Sequence, residues 1–233
     1  MRRDAFTQQD LRNTPAYGIP EAAGYLRLPV STLRAWMLGQ RYRDRGEPKF
    51  FKPVIEIADP NNRHLSFINL VEAFVLAGVR RKHDISLPKV RKAVAYLRRT
   101  FDTKRPLAEE KFQTDGVDLF VEKFGSLIGA TQEGQVQMRE IIHDRLKRVV
   151  RDPRGMPEKI VLFPAGREKA RSADVVIDPK FSSGRPILDG LGVRTAILAE
   201  RFDAGDNVEV LAREYDAPPE AVQNAIRCER RAA

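Results

Sequence analysis

Through the first hundred residues apolar positions recur every three or four places, broken by proline and turn-forming clusters, which predicts short helices joined by tight corners. Residues 1–16 are polar and without period, and are expected to form a flexible arm. Pro20 suits the first position of a helix because its fixed φ and missing N–H cost nothing there, and Glu21, Ala22, Ala23, Tyr25 and Leu26 continue it. Arg27-Leu28-Pro29 breaks that helix. A second follows over Val30–Met37, with Val30, Leu33, Trp36 and Met37 as one apolar stripe. Two short helices about a tight corner make a helix-turn-helix.

Gly39 to Lys52 reads as a basic loop, and Pro53–Ile57 as an extended run. The turn chemistry of Asp59-Pro60-Asn61-Asn62 and a returning strand at His64–Phe67 predict a two-stranded hairpin, the wing of a winged helix-turn-helix. Two helices follow. Ile68–His83 turns Leu70, Phe74, Ala77 and Val79 inward; Leu87–Phe101 turns Val90, Val94 and Leu97 inward, with Ser86 as N-cap and Pro88 in the first turn.

Pro106 marks a boundary. Beyond it, Phe112–Val121 reads as a hairpin about Asp115-Gly116, with a third strand near Leu127-Ile128. Gln135–Val150 reads as a helix burying Met138, Ile142, Leu146 and Val149; Ile160–Phe163 reads as a strand and residues 164–174 as a linker. Short strands at Val175–Ile177 and Ile187-Leu188 precede three helices. The first spans about Thr195–Phe202. The second opens with a capping box from Asp206 to Glu209 and buries Val208, Leu211, Ala212 and Tyr215; the third starts at Pro218-Pro219 and buries Val222, Ala225 and Ile226. The expected fold is α+β and mainly helical: an arm over 1–16, a winged helix-turn-helix over 17–105, a small mixed region over 106–166, and a C-terminal trihelical domain with short leading strands over 167–233.

Charge sharpens the division. Residues 1–105 hold 21 Lys and Arg against 10 Asp and Glu, a net +11, whereas residues 106–233 hold 20 against 22, a net −2. Clustered cations gain by releasing counterions from phosphates, so the N-terminal part is expected to meet a polyanion, double-stranded DNA. Neither an apolar run of about 18 residues nor a secretory leader is visible, so the chain reads as cytoplasmic with no membrane partner. One cysteine, Cys228, allows no internal disulfide and no cysteine metal knuckle.

The second helix of a helix-turn-helix fits the major groove, where residues opposite the packed stripe reach base edges. Those residues are Ser31, Thr32, Arg34 and Ala35, with Arg34 suited to a guanine edge. At the wing tip Asn61, Asn62, Arg63 and His64 are placed to reach the backbone or minor groove, while Arg41, Arg43, Lys49 and Lys52 are phosphate contacts. The bland alternative is a helical hairpin inside an ordinary core; the agreement of charge, hairpin and helix spacing weighs against it. No catalytic, metal or cofactor site is expected: His64, His83 and His143 are scattered, and neither a His-Glu-x-x-His motif nor a glycine-rich phosphate loop is present. Asp174, Asp178 and Asp189 suit turn and cap duty better than a metal-dependent nuclease.

Tyr17–Ala23, Thr32–Trp36, Leu65–Phe67 and Asp84–Val90 together resemble the MerR-type winged helix-turn-helix, over residues 17 to about 100. That family's dimerisation coiled coil is missing, so its metal or drug sensing does not carry over. Val176–Pro179, Ser183–Pro186, Gly192–Thr195 and Ala199–Gly205 resemble a small domain of unknown function that recurs in VapB-type antitoxins. The resemblance implies a type II antitoxin that binds its own operator and blocks a PIN-like ribonuclease toxin encoded nearby, and a homodimer is expected because two heads facing successive major grooves read a palindrome. A carboxylate-lined nuclease site invites an inserted arginine, which makes Arg227, Arg230 and Arg231 candidates. The C-terminal trihelical unit also has helix-turn-helix spacing, but residues 167–233 carry 11 Lys and Arg against 12 Asp and Glu, which favours dimerisation or toxin docking over phosphate. The competing reading is a solitary MerR-like regulator whose C-terminal half senses a ligand or partner.

Overall fold

The computed structural model describes residues 10–44, 46–80, 87–164 and 173–230. Residues 10–16, expected within a flexible arm, lie against the fold: the Arg12 guanidinium donates to Asp152 at 2.8 Å, and the Ala16 N–H donates to the Leu65 carbonyl at 2.9 Å. The rest of that arm, 1–9, lies outside the described residues. Strand β1 (Tyr17–Gly18) then pairs antiparallel with β4 (His64–Leu65).

Helix α1 (Ile19–Leu26) has Pro20 in its first turn, and the Glu21 carboxylate accepts from the Gly18 N–H at 3.3 Å. Arg27 ends it in the left-handed conformation, and α2 (Val30–Leu38) begins after Pro29. Both pack with α3 (Phe67–Arg80) around Tyr17, Trp36, Phe67 and Phe74, all buried. In α3, Leu70, Phe74 and Ala77 are buried as their spacing requires; in α4 (Leu87–Thr100) so are Val90, Val94 and Leu97. The inward placement of Val79, the end of that helix at His83 and the Ser86 cap fall outside the described residues.

The hairpin lies earlier than the sequence pattern suggests. Strands β2 (Gln40–Asp44) and β3 (Glu47–Phe51) pair antiparallel, and the rings of Tyr42 and Phe51 stack 3.9 Å apart. Residues 53–57 form no strand of it. Their Val54, Ile55 and Ile57 are buried, and the N–H groups of Val54 and Ile55 both donate to the Trp36 carbonyl, at 2.8 and 3.0 Å. The physical reason is burial: three apolar residues within 54–57 need a core, whereas the alternation of Arg41-Tyr42-Arg43 suits an exposed ribbon. The return strand at 64–65 exists but serves β1 rather than 53–57.

A second correction concerns 112–121, which forms no hairpin. A π-helical turn (Phe112–Gly116) runs directly into α5 (Val117–Ile128), which also absorbs the expected strand at 127–128. Val117, Phe120, Val121 and Phe124 are buried with a helical period, and that period outweighs the Asp-Gly signal. Gly116 is a close-packing residue there: a Cβ would lie 2.7 Å from the Phe112 ring and 2.9 Å from Phe101. Helix α6 (Gln132–Leu146) is capped by Thr131, whose hydroxyl accepts from the Gly134 N–H at 3.2 Å, and buries Met138, Ile142 and Leu146. Val149 leaves the helix for β5 (Val149–Arg151).

β5, β6 (Pro157–Phe163), β7 (Val175–Ile177) and β8 (Ile187–Leu188) form one antiparallel sheet in that order, so the sheet draws strands from both sides of the expected boundary. Helices α7 (Thr195–Asp203), α8 (Val208–Glu214) and α9 (Pro219–Glu229) complete the chain. The N-cap of α8 is Asn207, which accepts from the Val210 N–H at 2.8 Å; Asp206 instead meets the Arg201 guanidinium at 2.7 Å, a charged pair that draws it off the cap. Leu211, Ala212, Val222, Ala225 and Ile226 are buried, while Val208 and Tyr215 are half-buried. The fold is α+β and mainly helical. Among the described residues, no helix is long and apolar enough to cross a membrane.

One buried charge belongs to this core. Glu72 of α3 is enclosed, and its nearest cation, Arg105, lies at 3.6 Å, an ion pair without a hydrogen bond. Burial pushes its carboxyl from 4.5 up to about 7, against the opposing pull of Arg105 and Arg98. Between those values the unfolded chain loses a proton that the folded chain keeps, so stability falls as pH rises from about 4.5 to 7 and then levels. Glu72→Gln is expected to remove most of that slope, a difference on the order of 2–3 kcal/mol across the window. Thermal unfolding from pH 5 to 8 checks it; equal slopes in both proteins defeat the assignment.

Candidate nucleic-acid interface

Successive helical residues are 100° apart, so positions 30, 31 and 34 of α2 share one face. That face is outward: Ser31 and Arg34 are exposed, and Val30, expected in the buried stripe, is 38% exposed. Thr32 and Ala35, expected to reach bases, are buried. The helix packs over a wider arc than the stripe of Leu33, Trp36 and Met37 alone, and that arc takes in both residues.

Gly39 is the single residue between α2 and β2. It has φ +79°, and a Cβ on it would sit 2.2 Å from the Phe51 carbonyl oxygen and 2.6 Å from the Phe50 ring. The hairpin is therefore mounted directly on the end of α2, at a joint only glycine fits. Arg41, Arg43, Lys49 and Lys52 are exposed on and beside it. From α4, the Arg91 guanidinium donates to the Lys52 carbonyl at 3.5 Å and lies 6.0 Å from the Phe51 ring centre, bracing the base of the ribbon.

Asn62, Arg63 and His64 do not sit at the tip of this hairpin. They form a separate turn before β4, tied by Asp59, whose carboxylate accepts from the N–H groups of Asn61 and Asn62 at 3.0 Å and from the Asn62 amide at 2.8 Å. Those hydrogen bonds hold the Asp59 carboxyl below its ordinary value. Asn62 and Arg63 are exposed, Arg63 in the left-handed conformation with φ 58°, and the half-buried His64 places Nδ1 2.8 Å from the Asn62 carbonyl. The expected DNA contacts thus divide between α2 with its hairpin and this second turn. Sequence reasoning singled out neither Phe50 nor Arg91; the available signal for Phe50 was an aromatic pair, Phe50-Phe51, set within an otherwise basic loop.

Of the arginines considered for a partner, Arg227 is exposed on α9 and its carbonyl accepts from the Arg27 guanidinium at 3.0 Å. Arg230 pairs with Asp203 at 3.0 Å and lies 4.9 Å from the Phe202 ring centre, tying α9 to α7. Arg231 lies outside the described residues. Burial pushes the Cys228 thiol up to about 12, so it stays protonated at neutral pH. Among the described residues, no group of three His, Cys, Asp or Glu is arranged to hold a metal ion.

Residues 15–94 match a family model described as a putative DNA-binding HTH domain, and residues 175–227 match DUF433, a protein family of unknown function. Over 231 residues the chain is 28% identical to "Putative antitoxin VapB45" of Mycobacterium tuberculosis, covering 92% of this chain and 93% of that protein. It is 25% identical to the "Uncharacterized protein Rv2308" of the same organism, over 90% of this chain and 88% of the relative. The crystal structure of Rv2018 from Mycobacterium tuberculosis shares the fold, with a TM-score of 0.66 at 23% identity over 92% of this chain and 98% of that one. The head of the chain thus matches a helix-turn-helix family model and its C-terminal part the DUF433 model, and along nearly its whole length the chain is similar to a protein named as a VapB-type antitoxin.

Proposed function

We propose that the chain is a DNA-binding autorepressor that acts as the antitoxin of a type II toxin-antitoxin pair and neutralises a PIN-like ribonuclease encoded beside it. One observation carries the DNA-binding half: Arg34 stands outward on α2, and a cation-bearing hairpin is mounted one glycine beyond that helix. Arg34 reads a guanine edge and Ser31 a base or phosphate, while Arg41, Arg43, Lys49 and Lys52 hold the backbone. The turn of Asn62, Arg63 and His64 makes a second backbone contact. A homodimer presents two such heads to a two-fold operator.

The antitoxin half is supported by similarity over 92% of the chain to a protein that bears that name. PIN-like sites gather carboxylates around a divalent metal, and an arginine from the partner pairs with them. Arg227 is already outward for that role; Arg230 would exchange Asp203 for a toxin carboxylate, and Arg231 follows it. The second reading, a ligand-sensing MerR-like regulator, is favoured by a cavity of about 200 Å³ beside the helix-turn-helix corner, lined in part by Arg27, Phe74, Arg145, Arg148 and Phe163. Co-expression with the adjacent open reading frame separates the two. Retention of that product on a tagged copy, with rescue of growth, supports the antitoxin; a harmless, unretained neighbour supports the sensor.

On DNA, Arg34→Ala is expected to weaken binding to a selected operator by ~1–3 kcal/mol and to relax preference at one base pair, whereas Lys52→Ala weakens all duplexes alike. Fluorescence anisotropy on selected and random duplexes measures both; an equal loss on the two duplexes for Arg34→Ala removes its role as a reader. Gly39→Ala forces a Cβ onto the Phe51 carbonyl, and a cost of about 1–3 kcal/mol in stability is expected, with a concurrent loss of DNA affinity. Unchanged unfolding and binding would show that the joint tolerates a side chain.

A further inference from the structure

The two faces of the hairpin differ in a way that DNA binding through α2 does not require. Residues directly opposite in an antiparallel pair point to the same side, and neighbours along a strand to opposite sides. The register sets Arg41 opposite Phe50 and Arg43 opposite Pro48, which places these four on one face. Tyr42 opposite Lys49 and Gln40 opposite Phe51 fall on the other, as does Glu47. On that other face Tyr42 and Phe51 stack, both half-buried, and Arg91 of α4 approaches the Phe51 ring, so its base is braced by the body of the protein while Gln40, Glu47 and Lys49 stay exposed.

The face of Arg41, Arg43, Pro48 and Phe50 points away from that packing. All four residues are exposed, and Phe50 is 54% exposed, an unusual amount for a large aromatic with arginine on the facing strand. An apolar residue between cations matches the inside of a DNA groove, where sugar and base edges lie between two rows of phosphate. The ring also lies against Gly39, so its position relative to the end of α2 is set by the joint. Wedge and recognition helix would therefore reach DNA as one body.

We propose that this face enters the minor groove of DNA, with Phe50 as an apolar wedge against a base step and Arg41 and Arg43 on the flanking phosphates. Opening a base step costs stacking energy and bends the duplex, so the sites chosen contain a flexible pyrimidine–purine step beneath the wing. The proposal rests on the DNA-binding function given above, and deepens it by naming the groove, the contact and the deformation.

The test uses the full chain and a 30-base-pair duplex that it selects from a randomised pool. The selected duplex carries 2-aminopurine at successive steps beneath the wing and a dye pair at its ends. With the unmodified chain, 2-aminopurine fluorescence is expected to rise at one step and the end-to-end distance to shorten. With Phe50→Ala both signals are expected to vanish and affinity to fall about tenfold, while thermal unfolding is unchanged because the ring is exposed. A minor-groove-binding polyamide on that step is expected to compete with the chain. Arg34→Ala serves as the control: base preference relaxes and the bend remains. A Phe50→Ala chain that bends, unstacks and binds like the original overturns the wedge and leaves the DNA-binding function intact. Recovery of no duplex from the pool by the unmodified chain removes the DNA-binding function itself, and the wedge with it.

Discussion

The carbonyl of Trp36 is the point on which the head is organised. Its side chain is buried in the helix-turn-helix core, and its oxygen accepts two N–H groups, from Val54 and Ile55, after the chain has gone out through the hairpin and returned. An unpaired carbonyl at a buried helix end is costly, so this pair of hydrogen bonds both caps α2 and closes the excursion of the hairpin. With Gly39 permitting the chain to leave at once and residues 53–57 clamped beneath the helix, the ribbon has little freedom to swing. The same clamp holds Arg34 and the hairpin cations in one fixed relation.

From that core, α3 carries the connection to the rest of the chain. Phe74 on α3 lies under two guanidinium groups, Arg145 at 4.7 Å and Arg148 at 5.1 Å from its ring centre, and Gly78 leaves room for the stem of Arg145. A Cβ at Gly78 would lie 2.8 Å from the Arg145 Cγ, so the approach of α6 to α3 depends on that small residue. The C-terminal part meets the head through separate contacts. Arg185 pairs with Glu21 at 2.6 Å and lies 5.4 Å from the Tyr17 ring centre, and Arg27 at the helix-turn-helix corner reaches both the Phe163 ring and the Arg227 carbonyl. Arg27 thus links α9 directly to the corner between α1 and α2.

The elements that could be read from the sequence are those whose apolar period lies within a single helix, whether packed on one side or, as in α3, enclosed all round. α1, α3, α4 and the C-terminal helices are of this kind, and their buried residues fall where spacing places them, with Val208 and Tyr215 only half-buried. Where two signals competed, local turn chemistry misled. Asp115-Gly116 looks like a hairpin turn until Phe101 and Phe112 are placed around Gly116, and Asp59–Asn62 looks like a wing tip until β4 is seen to pair with β1. Both outcomes depend on residues far along the chain, which no short window contains.

By itself the sequence determined the head's charge, its helix-turn-helix spacing and the mainly helical α+β class, because these follow from composition and from periodicities local to each element. Tertiary structure decided which face of each element meets solvent. It buried Thr32 and Ala35, turned Phe50 outward beside Arg41 and Arg43, and drew Asp206 to Arg201 in place of the α8 cap. The physical reason is the same each time: whether a side chain is covered, paired or free depends on what distant segments pack against it, and strand register and helix packing settle that only once the whole core has closed.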